Sequence, residues 1–228
     1  MQNSKSSLIA ASLGLIAYGY AVLPSVAADQ ISMANCAALD AAISSTEDFA
    51  EVALASDNTA SKAGVATIGK TFEAIGSAMS SEQKTAGQKQ IALIHVDLSN
   101  NNLAGAALQA TGLYRLINET FQERLPIPLE VAMLDYAGFR IHALLAQKTI
   151  DWQVVLSTAN EAGSNWNAKK DHIKDRGLSD LATTLHIGLV AAATAENSDW
   201  LNFAAQMLLD SVDLLEKNIT ATGKQACH

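Results

Sequence analysis

The side chains best suited to bind a metal or move a proton near neutral pH are five histidines: His95, His142, His172, His186 and His228. His142 follows Asp135 by seven residues, with Gly138 between them. On a helix this spacing places both on one stripe, two turns apart and beside an apolar face. The pair is therefore a candidate ligand site. The competing reading is a core histidine together with a buried aspartate bonded to backbone or to Arg140. His186 stands between Leu185 and Ile187 on a very apolar stretch and predicts a polar spot in the core. His172 has Asp171 before it and Asp175 three residues on, within a mixed-charge run from Lys169 to Arg176 that reads as a solvated helix end. His95 and Asp97 point in different directions on a helix. If the chain holds a metal, the candidate ligands are His142, Asp135, His186 and His172. No histidine completes an HExxH or the helical ExxH of di-iron bundles.

Other chemistry has less support. There is no GxSxG elbow and no phosphate-binding GxxxxGK[ST] loop. Asp210 with Asp213, and Asp213 with Glu216, are paired carboxylates on one amphipathic helix and read as surface charge, with Asp210 nearest the inner face. Trp152 and Trp166, two heptads apart, are candidates to stack on an organic ligand. Large aromatics in helical bundles otherwise belong to the core. No cofactor is indicated.

The only cysteines, Cys36 and Cys227, lie far apart in the sequence and form no CxxC. In an oxidising compartment such a pair is expected to be a disulfide. That compartment is itself suggested by the first residues. Lys5, the apolar run Leu8 to Leu23 and the small residues to Ala28 have the layout of a secretory signal peptide, expected to be cut after Ala27 or Ala28. The apolar run is shorter than the roughly 20 residues of a spanning helix. No later run is long and uncharged enough to span a membrane. Residues 1–28 are thus read as a leader and 29–228 as a single domain, placed in the periplasm or secreted.

The chain carries a net charge of −8. Loss of the leader would remove Lys5 and no acid. An acidic protein has no pull toward phosphate backbones, so nucleic acid is not expected as a partner.

The elements that must position these residues are helices. Proline is nearly absent, strand-type alternation is missing, and Ala, Leu, Gln, Glu and Lys dominate. The apolar stripes predict an all-α bundle of about six to seven helices. Helices are expected over about Cys36 to Ala55 and around Val65, Ile68, Phe72, Ile75 and Met79. Ser99 to Asn102 interrupts the next stripe, as either a break or a kink. Leu125-Pro126-Ile127-Pro128 is the clearest internal boundary. Asp151-Trp152 and Asp199-Trp200, 48 residues apart, each read as a helix start, which suggests helical hairpins in the second half. The expectation is an exported, non-enzymatic helical bundle that binds a partner protein or small ligand. The alternative is a metal or redox protein with a His/Asp site between helices.

Overall fold

The computed structural model describes residues 33–219 and Cys227. The expected leader lies outside these residues. The described residues form eight α-helices: α1 (Met33–Leu54), α2 (Asn58–Ile75), α3 (Ser81–Ser99), α4 (Leu103–Thr120), α5 (Leu129–Leu145), α6 (Trp152–Lys169), α7 (Arg176–Thr194) and α8 (Ser198–Asn218). Short 3-10 turns at Gly76–Ala78 and Lys170–His172 follow α2 and α6. The all-α bundle is as expected, with one helix more than the upper end of the range. The ambiguous stretch around Asn100 resolves as a break between α3 and α4.

That break belongs to a turn used three times. Ser56, Asn101 and Glu196 have φ of 63°, 53° and 52°, closing α1, α3 and α7 in the left-handed conformation. The next residue donates its N–H back to the ending helix: Asp57 to Val52 O, Asn102 to Asp97 O and Asn197 to Ala192 O, at 2.8–3.2 Å. The side chains of Asp57, Asn102 and Asn197 then cap the following helix. One residue thus ends one helix and starts the next, which makes the connection short and the helices antiparallel neighbours.

The pairing of helices gives two four-membered rings. In the first half α1 packs on α2 and α4, and α3 on α2 and α4; in the second, α5 packs on α6 and α8, and α7 on α6 and α8. Each ring encloses its own core. Phe49, Ile68, Phe72, Ile94, Leu113 and Ile117 fill the first, and Leu134, Ile141, Val155, Trp166, Leu189 and Leu208 fill the second. Full burial of such a side chain is worth about 1.5–3 kcal/mol relative to exposure. The rings meet through α4 and α1 against α5. Phe139 and Ala143 of α5 belong to the first core, while Val131, Leu134, Ala137 and Ile141 belong to the second. This explains why α5 is apolar on most of its surface, the pattern of an enclosed helix.

One sequence expectation changes. Asp151 caps α6 through Gln153 and Val154 N–H groups, but Asn197, not Asp199, caps α8. The two Asp-Trp pairs therefore sit in different registers, one at the N-cap of its helix and the other inside the first turn. Pro128 occupies the N-cap of α5, at the boundary expected from the sequence.

Candidate functional site

Along α5, Asp135, Phe139 and His142 recur at four- and three-residue steps and line one groove between α1 and α8. The predicted Asp135–His142 stripe is therefore a shared surface. A Cβ placed on Gly138 would lie 2.5 Å from Leu209 Cδ2. Glycine at this position lets α8 approach α5 closely beside the groove. The groove has a volume of about 490 Å³.

Its lining is dominated by carboxylates. Glu47, Asp48 and Glu51 come from α1, Asp135 from α5, and Asp210, Asp213 and Glu216 from α8. Among the described residues no Lys or Arg lines it. Asp48, Glu51, Asp210 and Asp213 are exposed along the rim, whereas Glu47 and Glu216 are partly buried and Asp135 is buried. Asp135 is only 9% exposed. It has no hydrogen-bond or ion-pair partner among the described residues. Arg140, the partner considered from sequence, instead lies over the Tyr136 ring at 5.6 Å, outside the groove.

The electrostatics follow from this crowding. Burial, and then repulsion from Glu47, Glu216, Asp213 and Glu51, hold the Asp135 carboxyl well above the usual carboxylate range. Burial also lifts Glu47 to about 7, opposed by the Tyr114 hydroxyl and aided by Glu216, Asp48 and Glu51. Glu51 and Glu216 are raised as well, chiefly by burial and then by neighbouring carboxylates, Asp213 among them in both cases. Repulsion between Asp213 and Glu51 reaches across the groove from α8 to α1. Without a counter-ion, part of this surface stays protonated near neutral pH.

His142 sits at one end of the stripe. Its Nδ1 is 2.7 Å from Asn202 Oδ1, so the ring N–H donates to that oxygen. Burial lowers its pKa and the Asn202 bond opposes the fall. Nε2 is buried and has no partner among the described residues.

The other candidates are elsewhere. His186 is 4% exposed in the second-half core, stacked on Trp166 with centroids 5.6 Å apart. Burial lowers its pKa to about 4. Trp166 is 2% exposed, and its indole N–H donates to Thr183 Oγ1 at 3.0 Å. It is therefore closed to an organic ligand. Trp152 is half-buried against the same core. His172 is exposed in the turn after α6. Of the four candidate metal ligands, only Asp135 and His142 come together. Among the described residues no group of three or more His, Cys, Asp or Glu is arranged to hold a metal ion.

Sequence reasoning passed over Glu47, Asp48 and Glu51, and read Asp210, Asp213 and Glu216 as surface charge. One signal was present. Glu47–Glu51 and Asp210–Asp213–Glu216 are like-charged at helical spacings of three and four, which weakens a helix.

A second cavity, of about 430 Å³, shares Glu47 and Glu216 with the groove. Ala37, Leu39, Ile43, Leu125 and Ile127 give it an apolar wall, and Cys36 and Cys227 border it. These two cysteines form the expected disulfide, with Cα atoms 5.6 Å apart across a separation of 191 residues. Cys227 N–H also donates to Arg124 O at 2.8 Å, which holds this end of the chain against the α4–α5 connection.

Compared with protein-family models, curated proteins and solved structures, the chain matches none.

Proposed function

We propose that this chain is an exported, non-enzymatic binding protein whose α1–α5–α8 groove takes a cationic ligand. The observation that carries the reading is Asp135, nine-tenths buried and unpartnered among the described residues, beneath six further carboxylates with no basic side chain in the lining. A buried carboxylate surrounded by like charge is costly to ionise, and a bound cation removes that cost. The negative lining also concentrates cations at its mouth. Export is supported by the Cys36–Cys227 disulfide and by the leader-like start of the sequence. Among the described residues no helix is long and apolar enough to cross a membrane.

The test is calorimetric titration of the disulfide-bonded chain at pH 8 with spermidine, butylammonium and calcium chloride. At least one is expected to bind at a single site. The rim variant Glu51→Gln/Asp213→Asn, which alters only exposed side chains, is expected to weaken that binding by roughly tenfold or more. Absence of binding by all three cations, or binding unaffected by the rim variant, would overturn the reading.

A further inference from the structure

We infer that the ligand is an amphiphilic amine, a cationic nitrogen carrying an apolar chain, held with its charge at Glu47 and Glu216 and its chain in the cavity beside the disulfide. This rests on the cationic groove proposed above and specifies its ligand class.

Three observations support it. First, Glu47 and Glu216 line both the acidic groove and the apolar cavity. They are the place where a positive charge and an apolar group of one molecule would meet their complements together. Second, the two compartments differ in chemistry. Beyond these two glutamates the groove offers Asp135 and one turn of carboxylates each from α1 and α8, whereas the cavity offers an apolar wall of Ala37, Leu39, Ile43, Leu125 and Ile127 with Asp40, Ser44 and Asn118 at its polar positions. Third, the carboxylates are spread along the helices and do not converge: among the described residues no set of three is arranged around one point as a metal ion requires. A bare divalent ion would leave the apolar cavity unused, and so would a polyamine without an apolar end.

Chain length separates this inference from the cationic groove itself. The disulfide-bonded chain would be titrated at pH 8 with butylammonium, hexylammonium and octylammonium, with octanoate as the anionic control. Burying each added methylene is expected to tighten binding about threefold to fourfold. Octanoate is expected not to bind, because its charge opposes the lining. Ala37 is exposed at the cavity wall, so Ala37→Phe fills the cavity at little cost to the core. That variant is expected to abolish the chain-length dependence and leave the affinity for spermidine, which has no apolar end to place in the cavity, unchanged. The wild-type series is decisive by itself if the variant does not fold. Equal affinity across the three amines, with butylammonium and spermidine still bound, would overturn the amphiphile and leave the cationic groove standing. Failure of every cation would overturn both.

Discussion

The Tyr114 hydroxyl and the Glu47 carboxylate line the same cavity where it meets the acidic groove, and the hydroxyl is the one neighbour that lowers the Glu47 pKa. Tyr114 is buried on α4 and Glu47 stands on α1, so the two residues bring two helices of the first ring together at the wall of the site. The hydroxyl favours the ionised form of Glu47 in a setting where burial and Glu216 disfavour it. Glu47 is thereby held near 7, within reach of either charge state at neutral pH.

Tyr114→Phe keeps the ring and removes the donor. Glu47 is expected to titrate above 7 in this variant, because only the stabilisation of its anion is lost. A carbon-detected NMR titration of the glutamate carboxyls reads the shift. An unchanged or lower value would show that the hydroxyl does not support the charge.

Stability is expected to depend on pH through two opposing sets of groups, raised carboxylates and lowered histidines. Glu47 has its folded pKa raised from 4.5 to about 7, so the folded state binds the extra proton between those values. Its contribution is fully present below 4.5 and lost as pH rises through 7, by about 3 kcal/mol. Asp135, Glu51 and Glu216 are raised too and act in the same sense. His186 is lowered from 6.5 to about 4, so its contribution is present above 6.5 and lost as pH falls through 4. His142, also lowered by burial, acts with His186; with four raised carboxylates against these two histidines, the melting temperature is expected to rise from pH 8 to pH 5. His186→Phe should steepen that rise, and Asp135→Asn should flatten it. His186→Phe should also stabilise the protein at pH 7 by about 1 kcal/mol or more, because both ring nitrogens of His186 lack partners among the described residues. Thermal melts from pH 5 to 8 provide the check, and a steeper rise in Asp135→Asn would reject the assignment.

The Cys36–Cys227 disulfide closes a loop spanning nearly the whole domain. Reduction, or Cys36→Ser/Cys227→Ser, is expected to cost up to about 5 kcal/mol in the chain-entropy account. The bond also borders the apolar cavity, so the same variant should lose octylammonium affinity more than butylammonium affinity. Denaturant melts and titrations of the variant measure both effects.

Glu196 adopts φ of 52° at the end of α7, a conformation that L side chains reach only with strain. Glycine adopts it freely. Glu196→Gly is expected to raise stability by about 0.5–1 kcal/mol, since the turn remains closed by Asn197 N–H on Ala192 O. Equilibrium unfolding in urea tests this, and a loss of stability would show that the Glu196 side chain contributes more than its backbone strain costs.

Most of the fold was legible in one dimension. Asp151 was legible as a helix cap and Ser99–Asn102 as a place where a helix could restart, and Pro126 and Pro128 interrupt helix by their own ring geometry; the start of α8 was read two residues late, at Asp199 instead of Asn197. The stripe from Asp135 to His142 was legible because seven residues are nearly two helical turns. The pairing of Cys36 with Cys227 was legible because no other cysteine exists. The acidic groove was not. Within α1 or α8 alone, a row of carboxylates reads as a solvated face, and nothing local distinguishes Glu47 from a surface glutamate. The burial of Asp135 and the raised pKa of Glu47 arise only when α1 and α8 flank α5 and exclude water from between their acidic faces. In the same way, His186 and His142 look alike in sequence. Packing placed one against Trp166 in a core and the other at a groove, because helix rotation within each ring, set by the whole apolar surface, decides which neighbours a single polar residue meets.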